Sequence, residues 1–318
     1  MHILRKLMWG LLGLILLSYL GMCAWAYWPG TTEVPARSLA QRGDEFVQVN
    51  GLTLRYRRYG HGGDGRPELL LLHGFGNSLQ SWRLLAPLLA SCCDVIAIDM
   101  PGYGLSDKPV DYDYHNGPQA RTLIAAARAL GLQHATYVGH SLGGAIALQA
   151  AVQDRAAAGL VLMNPGILTT GVPKIVQVTL PPLPRLSAKL FGSRGFRGDF
   201  LRKSYVHPEL VTEQVIDEVM LGARTQGFMS GTTSLMQQYS EGEEIRLAAQ
   251  VHVPTLIVWG NQDRNKLRAE ADQLQHLLPG STLVRFEDSG HYVHEEQAAG
   301  VAEAVKAWLS KPKPAAAN

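Results

Sequence analysis

Ser141 is the residue of this sequence best placed to act as a nucleophile. It stands in Gly139-His140-Ser141-Leu142-Gly143, directly after an apolar run and before a stretch with helical periodicity. A G-x-S-x-G sequence between a strand and a helix forms a sharp turn that exposes the serine hydroxyl at a sheet edge. The N-terminus of the following helix favours negative charge that develops there. This pattern predicts nucleophilic catalysis through Ser141.

A nucleophilic serine needs a general base, and the base needs an acid that orients it. His291 follows the strand-like run Thr282–Phe286, and Asp263 follows the run Thr255–Trp259. Because both come at the carboxyl ends of predicted strands, we expect them at the sheet edge where Ser141 emerges. We therefore predict Ser141, Asp263 and His291 as a catalytic triad, in the chain order typical of such a turn.

Two neighbouring residues offer alternatives to these assignments. Asp288 could replace Asp263 as the acid, but it precedes His291 by only three residues, a spacing that favours a turn contact. Asp263 is therefore the preferred acid. His140 is adjacent to the nucleophile, but its side chain is expected to point away from the site at the turn.

Acyl transfer also needs hydrogen-bond donors for the tetrahedral oxyanion. The run Leu69–Leu72 leads into His-Gly-Phe-Gly at 73–76, a glycine-flanked turn whose backbone can approach the site closely. We predict the backbone N–H groups of Phe75 and Leu142 as the two donors. His73 is predicted to brace this loop through hydrogen bonds and not to act as a base.

Strand and helix patterns alternate along most of the chain and would position these groups. Such alternation indicates an α/β fold with a mostly parallel sheet and helices on both faces. The predicted strands are Glu45–Val49, Leu52–Tyr56, Leu69–Leu72, Val95–Asp99, Ala135–Val138, Leu160–Met163, Thr255–Trp259 and Thr282–Phe286. The predicted helices are Trp82–Leu89, Ala120–Leu130, Gly144–Val152, Ala269–Leu278 and Ala298–Leu309.

The same patterns divide the chain into parts. Residues 167–248 lack buried-strand runs and are predicted to form an inserted helical cap. The full division is an N-terminal anchor or signal peptide at 1–29, a linker at 30–44, a core at 45–166 and 249–310, the cap at 167–248 and a disordered tail at 311–318.

The N-terminus predicts a membrane anchor. Residues 7–28 are 22 residues without a charge, 18 of them apolar, and Arg5 and Lys6 precede them. About 20 helical residues span a hydrocarbon core, and the basic residues place the catalytic domain outside the cytoplasm, in the periplasm of a bacterium. Two alternatives are cleavage as a signal peptide at the Ala-Trp-Ala of 24–26, giving a secreted or periplasmic protein, and lipidation of Cys23.

Basic residues concentrate in the first part of the predicted cap. Within residues 174–203 seven of them occur with one acid, Asp199, and apolar residues are interleaved. One interpretation is a solvated helical face over the core of the cap. The other is a basic, apolar lid that lies on an anionic bilayer. The seven residues are Lys174, Arg185, Lys189, Arg194, Arg197, Arg202 and Lys203.

Five motifs follow one another along the chain: Leu-His-Gly-Phe-Gly at 72–76, Asp-Met-Pro-Gly-Tyr-Gly-Leu-Ser at 99–106, Gly-His-Ser-Leu-Gly-Gly at 139–144, Trp-Gly-Asn-Gln-Asp at 259–263 and Ser-Gly-His at 289–291. In this order they resemble the α/β-hydrolase fold superfamily over residues 45–309. The resemblance implies an eight-stranded, mostly parallel sheet and the triad Ser141, Asp263 and His291.

The residue at the turn separates the branches of this superfamily. Epoxide hydrolases and haloalkane dehalogenases carry Asp where this chain has Ser141, and the dehalogenases carry Trp in place of Leu142. Prolyl iminopeptidases carry Trp after the serine and His-Gly-Gly-Pro-Gly at the oxyanion loop, and neither is present. The chain thus resembles serine esterases and lipases. With its anchor and cap it is similar to membrane-anchored monoacylglycerol lipases and anchored bacterial lipases, which implies a lipid or monoacylglycerol-type ester as substrate.

Composition excludes other classes of protein. Lys and Arg number 29 against 27 Asp and Glu, so there is no basic excess for nucleic-acid binding. Three cysteines rule out a disulfide scaffold, and the adjacent Cys92 and Cys93 have a spacing that seldom forms a bridge. No Cys/His spacing resembles a zinc site. We expect no metal, no cofactor and no obligate protein partner.

Ester hydrolysis through an acyl-enzyme on Ser141 is thus the favoured function. Two alternatives keep the same residues. One is a carbon–carbon bond hydrolase or perhydrolase with the same triad. The other is a ligand-binding receptor on a hydrolase scaffold, because a fold does not by itself establish a function.

Overall fold

An eight-stranded sheet forms the centre of the computed structural model, which describes residues 2–28, 30, 32–60, 65–170, 178–238 and 243–311. The strands are β1 (Glu45–Val49), β2 (Leu52–Tyr59), β3 (Glu68–Leu72), β4 (Asp94–Ile98), β5 (Ala135–His140), β6 (Gly159–Met163), β7 (Thr255–Gly260) and β8 (Thr282–Phe286). They lie in the order β1-β2-β4-β3-β5-β6-β7-β8. β2 is antiparallel to β1 and β4, and the remaining pairs are parallel. The predicted eight-stranded, mostly parallel sheet is confirmed.

Twelve α-helices are formed by the described residues, joined by short 3-10 turns. The helices are α1 (His2–Tyr27), α2 (Leu85–Leu89), α3 (Asn116–Ala129), α4 (Leu142–Gln153), α5 (Leu183–Phe191), α6 (Arg194–Ser204), α7 (Glu213–Met220), α8 (Phe228–Gln238), α9 (Glu244–Leu247), α10 (Ala269–Leu277), α11 (Val293–Glu296) and α12 (Ala298–Leu309). The 3-10 turns are Ala36–Leu39, Leu79–Trp82, Pro208–Leu210, Leu221–Arg224 and Ala248–Gln250.

Burial on both faces explains why the central strands are continuous apolar runs. In β3, Leu70 and Leu72 belong to the core cluster that includes residues of α3 and α4. Leu69 and Leu71 point the other way, into the cluster that includes residues of α2 and α12. Successive side chains of a strand alternate between faces, so the four buried positions of β3, Leu69–Leu72, all need apolar residues when helices cover both sides. Burying each leucine side chain stabilises the folded state by on the order of 2 kcal/mol.

The segment between β6 and β7 contains α5 to α9, and none of the named strands lies among its described residues. Residues 171–177 and 239–242, and with them Lys174, lie outside the described residues. A further core cluster, separate from those of the sheet, joins Leu201, Tyr205, Val211 and Ile216 to Tyr292. The proposed division into core, cap, linker and tail stays a prediction, and residues 312–318 of the tail also lie outside the described part.

The N-terminal helix α1 exposes nearly all of its side chains. It is 26 residues long with a mean hydropathy of 1.9, which is long and apolar enough to cross a membrane. A signal sequence near an N-terminus meets the same criteria of length and composition.

The vicinal cysteines correct one expectation. Cys92 and Cys93 are disulfide-bonded in the structure, although adjacent cysteines seldom form a bridge. They lie in the turn between α2 and β4.

Candidate functional site

The turn between β5 and α4 presents Ser141 as the sequence predicts. Its backbone φ is +52° and ψ is −119°, a conformation that non-glycine residues rarely adopt. Such strain is held only where the surroundings enforce it, and it is commonly found at functional residues. Glycines make the turn possible: a Cβ on Gly139 would overlap the carbonyl of Gly143, and a Cβ on Gly143 would overlap the carbonyls of Leu72 and His73.

Replacing Gly143 with alanine should therefore destabilise the fold. The added methyl group meets backbone atoms of β3 and its loop, which cannot move aside as a flexible side chain could. We expect the melting temperature of the detergent-solubilised chain to fall by about 5 °C or more. Gly195→Ala is the matched control, because nothing lies within 4 Å of the Cβ position in that helical glycine. Equal melting temperatures for the two variants would contradict the close contact at Gly143.

His291 and Asp263 lie on loops that follow β8 and β7, at the same edge of the sheet as Ser141. The His291 ring places Nδ1 2.7 Å from Asp263 Oδ2, and the carboxylate also accepts hydrogen bonds from Asn164 Nδ2 at 2.9 Å and from the Asn265 backbone N–H at 2.8 Å. With Nδ1–H donated to the carboxylate, Nε2 of neutral His291 is left as the basic atom.

The Asp263 carboxylate is held in its charged form. Its side chain is only 1% exposed, and burial alone would raise its pKa. Adjacent His291, the Asn265 N–H and nearby Lys266 together outweigh burial and hold the pKa of Asp263 below its ordinary value. Asp288, the alternative acid, contacts another histidine instead: its carboxylate lies 3.1 Å from His207 Nε2.

Ser141 and His291 line one cavity, together with Phe75 of the predicted oxyanion loop. Gly74, next to Phe75, lies so near the nucleophile that a Cβ on it would be 3.1 Å from the Ser141 Cβ. Leu142, the other predicted donor residue, is the first residue of α4. The structure thus brings all five predicted site residues to one edge of the sheet; their catalytic roles stay predictions.

His73 braces the oxyanion loop as predicted. Its Nε2 accepts a hydrogen bond from the backbone N–H of Met100 at 3.1 Å, and Nδ1 lies 2.8 Å from the Gly74 carbonyl. Its ring is completely buried, and burial lowers its pKa. The neutral ring therefore fastens the loop after β3 to Met100, two residues beyond the end of β4.

Two supporting residues were missed by sequence reasoning. His140 Nε2–H donates to the His291 carbonyl at 2.8 Å, and burial followed by the nearby histidines lowers the pKa of His140 well below its ordinary value. Asn164 joins β6 to β7, accepting from the Gly260 N–H at 2.8 Å while it donates to Asp263. A polar residue at the end of a strand, as at His140, or directly after it, as at Asn164, was the available signal. The expectation that the His140 side chain points away from the site is wrong, because His140 lines the cavity together with Ser141.

Arg197 is the third residue that the sequence did not single out. In the sequence it is one of the seven basic residues in the first part of the predicted cap. In the structure it is 2% exposed and donates a hydrogen bond to the Gly76 carbonyl in the predicted oxyanion loop. Its guanidinium lies 5.0 Å from the ring centre of Phe191 and 5.7 Å from that of Phe200. Burial lowers its pKa to about 10, so it remains charged at neutral pH. The contact ties α6 to the loop that carries Phe75.

Arg197→Met should weaken catalysis more than it weakens the fold. Methionine keeps the apolar stem between the two phenylalanine rings but removes the donor that holds the Gly76 carbonyl. We expect kcat/KM for an ester to fall about 10- to 100-fold, because the oxyanion donors lose their fixed position. Arg194→Met, which removes an exposed arginine paired with Asp217 and Glu213, is the control. Equal activities for the two variants would argue against a positioning role.

A second, apolar cavity adjoins the first. Phe75 lines both cavities. The wall of the second cavity is largely apolar and comes from the oxyanion loop, α5 and α8, with Phe191, Phe228, Leu235 and Met236 among its residues. Phe75 therefore lies between the apolar cavity and the cavity that Ser141 lines.

Comparison with known proteins agrees with this architecture. The family described as "alpha/beta hydrolase fold" matches residues 67–298. An uncharacterised hydrolase of Bacillus subtilis, YugF, is 30% identical over 265 residues, covering 82% of this chain and 96% of that protein. A crystal structure of a membrane phospholipase A has a TM-score of 0.69 at 25% identity, over 94% of this chain and 97% of the other. A meta-cleavage product hydrolase of Pseudomonas fluorescens IP01 has a TM-score of 0.69 at 22% identity, over 83% and 97%, a likeness of fold alone. This chain belongs to the α/β-hydrolase fold family.

Proposed function

We propose that this chain is a serine hydrolase that cleaves carboxylic esters of apolar acids, with lipid or monoacylglycerol-type esters as its substrates. The observation that carries the proposal is the hydrogen bond from His291 to a charged Asp263 at the wall of the cavity that also contains Ser141. A nucleophile, a base and an orienting acid are the parts that acyl transfer to serine requires.

In the proposed first half-reaction, His291 Nε2 accepts the hydroxyl proton as Ser141 Oγ attacks the ester carbonyl. The carbonyl π electrons move to oxygen, and the N–H groups of Phe75 and Leu142 stabilise this oxyanion. Asp263 holds the Nδ1–H tautomer and stabilises the imidazolium that forms. The imidazolium then gives its proton to the leaving alcohol as the carbon–oxygen bond breaks, which leaves the acyl group on Ser141.

The second half-reaction releases the acid. His291 takes a proton from water, the resulting hydroxide attacks the acyl-enzyme, and the same donors stabilise the second oxyanion. Collapse of this intermediate returns the proton to Ser141 and frees the carboxylic acid. His291 is thus the base for the attack of each nucleophile and the acid for each departure.

The apolar cavity supports an apolar acid as the acyl component. It begins at Phe75, one of the two proposed oxyanion donors, and its lining includes three phenylalanines, a leucine and a methionine. Burying an acyl chain there stabilises the complex by about 0.8 kcal/mol for each methylene group. We therefore expect kcat/KM to rise with acyl length until the cavity is filled.

We further propose that α1 is retained as a membrane anchor and that the catalytic domain lies outside the cytoplasm. Arg5 and Lys6 at the beginning of the helix support this orientation. The likeness to the structure of a membrane phospholipase A, which covers 94% of this chain, supports attachment to a membrane. An anchored enzyme would remain close to esters that partition into the bilayer.

The test is hydrolysis of an ester series from acetyl to palmitoyl, together with a monoacylglycerol, by the full chain in detergent. Turnover that increases with acyl length supports a lipid esterase. No ester turnover, with Ser141 still labelled by a fluorophosphonate, would point to the alternative carbon–carbon hydrolase or perhydrolase, and a ring-cleavage substrate panel would then follow. If the chain shows no turnover and Ser141 is not labelled, the receptor alternative is favoured.

A further inference from the structure

The end of α1 is capped by residues of α5. The last carbonyls of an α-helix have no partner within the helix, and cations nearby are favourable there. Lys189 Nζ donates to the carbonyls of Trp25 at 2.5 Å and Trp28 at 3.0 Å, and Arg185 Nε donates to that of Ala26 at 3.1 Å. Since the last turn of α1 contains no basic residue of its own, α5 supplies these charges.

Aromatic rings strengthen the same contact. The Arg185 guanidinium lies 4.8 Å from the ring centre of Tyr27, and Lys189 Nζ lies 5.5 Å from that of Trp25. Tryptophan and tyrosine at the end of a membrane-spanning helix are typical of the membrane–water interface. If α1 spans the bilayer, these contacts fix α5 at the depth of the interface.

The C-terminal end of α5 reaches the site. Phe191 packs edge to face against Phe75, with ring centres 5.2 Å apart, and both line the apolar cavity. The segment also exposes apolar side chains: Leu180, just before α5, is 70% exposed, and Leu190 is 37% exposed. One short helix thus connects the interfacial end of α1 with a wall of the proposed acyl cavity.

Most of the positive charge in this region is already used within the protein. Arg194 pairs with Glu213 and Asp217, Arg202 pairs with Glu213, and Arg197 is buried against Gly76. Attraction to anionic lipids is therefore a weaker basis for membrane contact than apolar insertion. These contacts therefore differ from both interpretations of the basic segment. Arg197 is buried and not solvated, and the ion pairs of Arg194 and Arg202 leave less positive charge to attract an anionic bilayer.

We propose that α5 lies on the bilayer surface as an interfacial helix, held at that depth by Arg185 and Lys189, and that it forms the membrane-facing wall of the route to the apolar cavity. Lipid esters resident in the bilayer then reach Ser141 from the membrane. This inference rests on the proposed ester hydrolysis and on retention of α1. Contact with the bilayer is apolar, so it does not depend on the fraction of anionic lipid.

The position of α5 can be measured without reference to activity. A cysteine is introduced by Leu180→Cys in a Cys23→Ala background and labelled with a nitrobenzoxadiazole fluorophore, and the full chain is reconstituted into phosphatidylcholine vesicles that contain brominated acyl chains. His252→Cys is the control, because this exposed residue precedes β7 at the sheet edge opposite the site. We expect quenching at 180 and none at 252, unchanged when anionic lipid is added. No quenching at 180 would overturn the proposal.

The role of the two basic residues is tested by Arg185→Met combined with Lys189→Met. We expect kcat/KM for a lipid ester in vesicles to fall about tenfold or more, while that for a soluble short-chain ester changes little. Arg194→Met is the control. Equal losses on both substrates, or no loss on either, would overturn the positioning role. Absence of ester turnover by the unaltered chain would instead refute the proposed function, and the quenching result would still decide where α5 lies.

Discussion

Ser141→Ala is expected to reduce ester turnover by on the order of 10⁴- to 10⁶-fold. The substitution removes the only atom proposed to form the acyl-enzyme, and alanine cannot replace the hydroxyl. His291 and Asp263 would still be hydrogen-bonded, and the proposed donors, the N–H groups of Phe75 and Leu142, would be retained. These remaining groups can polarise a bound ester carbonyl, but without the serine nucleophile the rate of hydrolysis stays far below that of the intact triad. The measurement is kcat/KM on the acyl ester that the full chain prefers.

The matched control for Ser141→Ala is Ser230→Ala. Ser230 is an exposed serine on α8, and its hydroxyl lies 3.3 Å from the Gly227 carbonyl. We expect this variant to keep full activity and full labelling by a fluorophosphonate, whereas Ser141→Ala loses both. If Ser141→Ala unfolds at the same temperature as the unaltered chain and still hydrolyses esters at an unchanged rate, the acyl-enzyme mechanism is wrong.

Local sequence was enough to predict the sheet and the loops that follow its strands. Strands buried on both faces must be apolar throughout, so β3 and β7 stand out without any knowledge of their neighbours. Where bounds differ, a partner strand decides: β2 continues to Tyr59, three residues beyond the prediction, because Tyr56–Tyr59 pair with β4. The predicted helix Trp82–Leu89 is likewise divided, since a 3-10 turn at Leu79–Trp82 precedes α2.

Contacts between distant segments could not be predicted in this way. Arg197 and the Gly76 carbonyl are 121 residues apart, and Lys189 and the Trp25 carbonyl are 164 apart. Nothing in a run of basic residues tells a buried arginine from an exposed one, because both occur among the same apolar neighbours. The charge of Arg197 is stabilised by one carbonyl and two aromatic rings that only the fold brings together.

The choice between Asp263 and Asp288 also depends on contacts between distant segments. Sequence separation favoured Asp263, but both residues follow a predicted strand. In the structure Asp263 is fixed by three donors from three loops: His291, Asn164 and the Asn265 N–H. Asp288 is largely exposed, and its side chain contacts His207. Because the two carboxylates have such different surroundings, replacing each of them with alanine should affect catalysis very differently.

Asp263→Ala is expected to lower kcat/KM by about 10³- to 10⁵-fold, while Asp288→Ala should leave it nearly unchanged. Without Asp263, no carboxylate fixes the Nδ1–H tautomer of His291 or stabilises the imidazolium. Asp263→Asn removes the negative charge and sets the amide NH2 against an N–H donor, that of Asn265 in one orientation and those of His291 and Asn164 in the other, so a loss of the same order is expected. A larger loss for Asp288→Ala than for Asp263→Ala would reverse the assignment of the acid.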